Sequence, residues 1–459
     1  MSHEGYARQE WLRRRVGVLR EPNFRRFYTG YSTSLLGSAM STVAIAFAVL
    51  DSGARATGLG WVFAASVVPQ VLFMPVAGAV ADRLGRRRAM LGADVLRCAA
   101  QASFAAVLFA GRPPLWLFIL LAWLGGTGTA FFTPSLTALT VEMAPAGQLG
   151  NANALYSLAG SATRIVGPAL GGALVAIAGP ATVVAVDAAS YLASVLALSL
   201  LRLPAAPTPA APTPAAPAAK RRSLLGDMAD GWADFRSRTW LWVTTVQLAF
   251  FNLITWAPWM LLGPVLGKEY LGGAAVWGAI MAVQGAGAIL AGLLSLGRHP
   301  RRPVVVATVG TFCYALPDIP MALHAAAPWV AAAAFACGAG AAVSSTFSGT
   351  AMQQQVPPQM LARVSSLMMF PSYGIGVIGY MIDGPLAGAI GTQLVFGVGA
   401  AYGLLSSAAV LTLPAIRAVR WRTSDPGQAD DAPTADDQAE LRASPPSAER
   451  RTRRAGRRP

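Results

Sequence analysis

Gly78-Ala79-Val80-Ala81-Asp82-Arg83-Leu84-Gly85-Arg86-Arg87-Arg88 is the stretch whose reading decides the fold. It joins two apolar runs, 57–80 and 89–111, each long enough to cross a bilayer, which takes about 20 residues. Gly78 and Gly85 let two helix ends approach and turn sharply. Asp82 is one carboxylate among several cations, so it is expected to pair with a helix end or an Arg. Arginine collects in the cytoplasmic loops of membrane proteins, which places this turn in the cytoplasm.

Composition agrees with a membrane-embedded chain. Of 459 residues, 54% are hydrophobic and 12% charged, where a soluble domain carries about 25% charged residues. The net charge of +15 is almost wholly arginine, with Lys220 and Lys268 the only lysines. The cations sit between apolar runs and in the tails, the distribution of cytoplasmic loops rather than of a nucleic-acid-binding face, so no nucleic-acid partner is expected. Cys98, Cys313 and Cys337 all fall within apolar runs and form neither a disulfide framework nor a metal-ligand spacing. His3, His299 and His324 are scattered. No metal, cofactor or catalytic constellation is expected. No secretory signal peptide is visible: the first apolar run follows an Arg-rich stretch too long for such a signal and has no small-residue cleavage site.

In chain order, residues 1–27 form a basic cytoplasmic N-terminus. Six apolar runs follow at 28–50, 57–80, 89–111, 114–138, 152–178 and 181–201, giving a first six-helix bundle over 28–203. Residues 204–222 read PAAPTPAAPTPAAPAAKRR; Pro-Ala repeats cannot bury a core and make a semi-rigid linker. Residues 223–238 fit a short amphipathic helix, with Leu224, Leu225, Met228, Trp232 and Phe235 on one face and Asp227, Asp230 and Asp234 away from it. It serves either as an interfacial helix or as a plain connector, and linker and helix together span 204–239. Six more runs, at 240–266, 274–296, 304–323, 329–351, 364–382 and 393–413, give a second bundle over 240–414. Residues 415–459 are polar and read as a disordered cytoplasmic tail.

Two internal echoes point to duplication. Gly292-Leu-Leu-Ser-Leu-Gly-Arg-His-Pro-Arg301-Arg302 repeats the first turn in decayed form, with Leu296 where Asp82 stands. Glu142-Met-Ala-Pro-Ala-Gly-Gln-Leu149 is echoed by Gln354-Gln-Val-Pro-Pro-Gln-Met-Leu361. Orientation follows from the arginines. The N-terminus, the first turn, the linker, the 298–302 turn and the tail are basic, whereas the opposite loops hold only Arg55, Arg112 and Lys268. Both termini are therefore expected in the cytoplasm, which requires an even number of spans.

Ionisable groups inside a bilayer are costly and tend to be functional. The candidates are Asp94, Arg97, Arg164, Asp187, Asp318 and Asp383. Asp94 and Arg97 are three apart and share a helix face, either as an ion pair bracing the turn or as part of a proton-coupling site. Asp187 opens the sixth span and serves a helix terminus or a proton. Asp318, between Pro317 and Pro320, caps freed backbone groups or titrates. Asp383, near a helix end, reads as interfacial. Arg164, near mid-membrane, needs a carboxylate, a carbonyl or an anionic substrate.

The pattern Gly78-x-x-x-Asp82-Arg83-x-Gly85-Arg-Arg87-Arg88 resembles the loop between helices 2 and 3 of the major facilitator superfamily of transporters. The family's fold implies an all-α membrane protein of twelve transmembrane helices in two pseudo-symmetric six-helix bundles. By the same resemblance, Gly78, Asp82, Arg83, Gly85, Arg87 and Arg88 form a conformational latch between the halves. Arg164 with Gly167-Pro168-x-x-Gly171-Gly172 on helix 5 resembles the antiporter motif of the family's exporters, although Ala154 and Thr163 stand where that motif has glycines. Leu19-Arg-Glu-Pro-Asn-Phe24-Arg-Arg, Leu149-Gly-Asn151-Ala-Asn153 and Asp187-Ala-x-Ser190 resemble the macrolide-efflux and enterobactin-exporter-like branch. The fourth span carries no Arg before its glycine-rich run, so a proton relay built on such a residue is not expected.

The resemblance implies a secondary exporter of amphipathic drugs, antibiotics, siderophores or other secondary metabolites. It would be coupled to protons and reside as a monomer in the cytoplasmic membrane. Tyr31, Trp123, Phe131, Gln247, Phe251, Asn252 and Trp256, with Tyr28 and Phe347, are the implied substrate-cavity residues. An importer on the same fold is the alternative. A membrane-embedded enzyme would need a cluster of nucleophile, base or metal ligands that the sequence does not offer.

Overall fold

The computed structural model describes residues 17–143, 148–201, 232 and 235–421. The N-terminal stretch before 17, the Pro/Ala linker, most of the amphipathic segment, the tail beyond 421 and the side chain of Asp82 lie outside the described residues. The chain up to Arg420 forms one compact unit.

The described residues are helical throughout, without strands. The helices are α1 (Pro22–Asp51), α2 (Ala56–Leu84), α3 (Arg86–Ala110), α4 (Leu115–Met143) and α5 (Leu149–Ser199). After the linker come α6 (Thr239–Leu271), α7 (Ala274–Ser295), α8 (Pro303–Ala322), α9 (Ala327–Gln355), α10 (Pro358–Ile390) and α11 (Thr392–Thr412). All but α10 are long and apolar enough to cross a membrane, ten in total among the described residues; in α10 the apolar part is the shorter Gly374–Ile390.

Local chemistry sets the breaks. Proline opens α1, α8 and α10, where its missing N–H costs nothing. Gly85 ends α2 at φ 86°, a conformation closed to side chains, and α3 starts at the next residue. The 51 residues of α5 would run about 76 Å if straight, more than twice a hydrocarbon core. Gly179, at φ 78°, and Pro180 break it into arms 149–178 and 180–199, so α5 holds the fifth and sixth expected spans. α6 carries two π-helical turns, Asn252–Trp256 and Gly267–Leu271. α8 tightens into a 3-10 turn at Cys313–Ala315, just before Pro317.

Within the first half, α1 packs along α5, α2 on α4, and α3 against α4 and α5; within the second, α7 and α8 pack on α9. The halves meet chiefly where α5 crosses α7 and where α2 crosses α10. The distribution of the cores is unequal between the two ends. The largest buried cluster joins Phe47, Val62 and Val184 of the first half to Leu262, Trp277 and Phe396 of the second. It seals the end away from the Arg-rich turn, where Phe63 also meets Tyr380 edge-on at 5.7 Å and Lys268 bonds Asp51 at 2.5 Å. At the end bearing the Arg-rich turn each half keeps its own core. One is built on Phe27, Met90, Phe132 and Leu198, the other on Trp240, Leu241, Val304 and Val364. Among the described residues, the two halves therefore share a core at one end and keep separate cores at the other.

Candidate functional site

A cavity of about 290 Å³ lies below the sealed end. Every helix of the first half reaches it, whereas the second half contributes Met260 and Tyr380. Helical spacing places its polar groups. Arg97, Gln101 and Phe104 follow each other at steps of four and three on one face of α3, and Asp187 and Tyr191 are four apart on the second arm of α5. Ser38, Ser41 and Thr42 face them from α1.

Asp187 is buried at the centre of this group. Gln101 donates from Nε2 to Asp187 Oδ2 at 2.5 Å and to Ser41 Oγ at 2.9 Å. Ser38 and Ser190 donate to Asp187 Oδ1 at 3.4 and 3.3 Å, and Ser38 is 2.8 Å from the Tyr191 hydroxyl. One shell inward, Arg97 Nη2 pairs with Asp94 Oδ1, and Ser194 donates to Asp94 Oδ2 at 2.6 Å. The Arg97 guanidinium lies 4.1 Å over the Phe132 ring and 4.7 Å from that of Tyr191. Aromatic faces stabilise a cation that water reaches poorly. The close approach of α4 here depends on Gly128, where a Cβ would strike the Arg97 stem. The site thus holds one carboxylate bonded only by neutral donors, beside a carboxylate–guanidinium pair.

The other expected residues are placed as follows. At the turn, Arg87 donates to the carbonyls of Leu198 and Ser199 at 2.9 and 2.6 Å, closing the end of α5. Arg86 pairs with Glu142 of α4 at 2.5 Å. Arg83 and Arg88 are exposed, and Gly78 has open space beside it. In the helix 5 motif, Gly167 and Gly171 abut Ala39 and Met40 of α1, while Gly172 abuts Ala274 and Gly278 of α7. Pro168 also touches this crossing through its carbonyl at Gly278. Arg164 is exposed, and its hydrogen bond goes to Ser161 at 3.4 Å.

Asp318 is wholly buried in the second half against Gly399, and neither carboxyl oxygen meets a donor among the described residues. Asp383 is 4% exposed rather than open to the interface. Tyr31 stacks with Phe27 and Phe132 in the first-half core. Gln247 bonds Ser407 at 3.1 Å, and Phe251 meets Tyr314 at 4.9 Å, so both turn into the second half. Phe131 lies against Phe73, Asn252 donates to the Leu248 carbonyl, and Trp256 packs on the sealing cluster. Trp123 is half-buried. None of these seven lines the 290 Å³ cavity. Gln101, Ser38, Ser41 and Ser194 were not singled out by the sequence. Gln101 was within reach of such reasoning, since it continues the face of Asp94 and Arg97 at the next turn.

A family model described as Major Facilitator Superfamily matches residues 27–380. Macrolide efflux protein A of Streptococcus pyogenes is 26% identical over 275 residues, which are 59% of this chain and 66% of that protein. The multidrug efflux pump Tap of Mycolicibacterium fortuitum is 27% identical over 384 residues, 79% of this chain and 89% of the relative. Among solved structures, a bacterial homologue of the iron transporter ferroportin in an inward-facing state superposes with a TM-score of 0.65. It has 14% identity and covers 85% of this chain and 98% of that one. The nucleoside transporter NupG superposes at 0.63 with 12% identity, covering 85% and 98%. These two likenesses are of fold.

Proposed function

From the fact that the chain belongs to the Major Facilitator Superfamily, we propose that it is a secondary exporter of amphipathic small molecules, driven by protons through alternating access. The observation that carries this reading is the unequal sealing of the two ends. A shared core closes one end, while separate cores leave the other parted, which is one of the two states alternating access requires. With the Arg-rich turn on the cytoplasmic side, this state is inward-facing and both termini are cytoplasmic. Twelve crossings result when the two arms of α5 count separately and α10 counts as one. The relatives named for macrolide and multidrug efflux favour the outward direction and an amphipathic cargo.

The cargo and the coupling ion occupy different places on this reading. The cargo sits in the cleft between the halves, onto which the cavity with its Met260 and Tyr380 side opens. Trp123, Phe131, Asn252 and Trp256 are its candidate lining. The small cavity serves coupling: Asp187 carries the proton, and the Asp94–Arg97 pair fixes the field around it. The Gly78–Arg88 turn latches the opposite, outward-facing state. The protein works as a monomer.

Uptake into inverted vesicles tests the reading. A fluorescent amphipath should accumulate when the lumen is acidified and stop when the gradient is collapsed. Accumulation that ignores the gradient would remove proton coupling, and drug sensitivity unchanged in an efflux-deficient host would remove export.

A further inference from the structure

Arg164 is a charged group that the coupling site does not use. It sits about fifteen residues into α5, or about 22 Å along the helix, midway through the first arm. Leu158, Val166, Leu170 and Ile177 form the exposed apolar stripe of that arm, at 62%, 42%, 42% and 83% exposure. At 100° per residue, Arg164 lies on the opposite side from that stripe. Its neighbours fix the direction further. Gly167 and Gly171 contact α1, and Gly285 of α7 packs on the Arg164 carbonyl. The side chain thus emerges at the seam where the first half meets the second, yet it is exposed. Left uncovered at that seam and outside the lining of the 290 Å³ cavity, the side chain is read as entering the cleft between the halves.

A guanidinium at this depth requires a counter-charge or water. Among the described residues no carboxylate pairs with it, and its hydrogen bond is the long one to Ser161. The buried acids of the first half are committed elsewhere: Asp94 to Arg97 and Ser194, Asp187 to Gln101 and the serines. A fork of N–H donors facing an apolar-walled cleft matches a planar oxyanion at the head of a greasy molecule.

We propose that Arg164 is a specificity-determining residue that binds the anionic head, a carboxylate in the simplest case, of an amphipathic cargo in the central cleft. The inference rests on the exporter reading only for which molecules are carried.

Binding to the full chain in phosphatidylcholine nanodiscs tests it, with empty discs subtracted. The probes are a pyrene-labelled alkyl carboxylate and its methyl ester. The wild type should bind the carboxylate about tenfold tighter than the ester or better, the scale of a charge-assisted hydrogen bond. Arg164→Gln should abolish that preference through a fall in carboxylate affinity, while Arg164→Lys should keep part of it. Absent or equal carboxylate binding in the wild type, or a preference that survives Arg164→Gln, would overturn the proposal. Charge-selective binding without export in vesicles would leave the inference standing and sink the exporter reading instead.

Discussion

Asp187 and Asp318 are both buried carboxylates, and their surroundings separate them. Asp187 opens on a cavity and accepts from Gln101 and two serines, whereas Asp318 is enclosed without a donor among the described residues. On the proposed reading, coupling therefore falls to Asp187. Asp187→Asn keeps the shape and the Gln101 contact but removes the titrating group. Gradient-driven accumulation in inverted vesicles should fall about tenfold or more, while cargo binding in nanodiscs holds. Wild-type coupling in that variant would assign the proton elsewhere. Arg97→Met leaves Asp94 as an uncompensated buried charge and should cost about 3–5 kcal/mol of stability, read as a fall in detergent unfolding temperature. Asp94→Asn in the same chain should recover much of that loss. The Asp94–Arg97 pair was legible because i,i+3 spacing fixes proximity within one helix. The bonds from Gln101 and Ser38 to Asp187 cross between helices, and spacing along one strand of sequence does not carry that.

At the scale of elements, the turn between α2 and α3 was the most legible part. Glycine at 85 is demanded by φ 86° and ψ 133°, and Arg87 reaches two carbonyls at the end of α5. Gly85→Ala should destabilise by about 1–3 kcal/mol through backbone strain. Arg87→Ala should loosen the end of α5, seen as faster amide exchange at Leu198–Leu201 with little change elsewhere. Equal exchange in variant and wild type would deny Arg87 that role. The break at Gly179 was readable, because glycine followed by proline stops a helix whatever surrounds it. The π-helical turns of α6 were not. They arise where tertiary packing forces one extra residue into a turn, and no residue type in Asn252–Trp256 announces it.

For the whole molecule, apolar periodicity and the internal echoes made the helical membrane fold legible. Which end is shut was not, since that depends on a balance of a few kcal/mol between two packings of the same chain. The shut end offers a direct check. Asp51 and Lys268 come from different halves and meet at 2.5 Å, both about half exposed. Such a pair contributes about 0–1 kcal/mol, so Lys268→Ala should hardly alter stability. Joining the same two positions covalently is a different matter. A bis-methanethiosulfonate cross-linker joining Asp51→Cys and Lys268→Cys should arrest transport and release it on reduction; transport persisting through the cross-link would mean that this end need not open.

The polar cavity draws on all five helices of one half and on two side chains of the other. On the proposed reading, duplication ended in a division of labour: one copy retained the engine, while its twin was freed to drift, in keeping with Leu296 in the place of Asp82. Lineages of such pumps would then diversify their cargo by changing the twin and leave the engine copy nearly still.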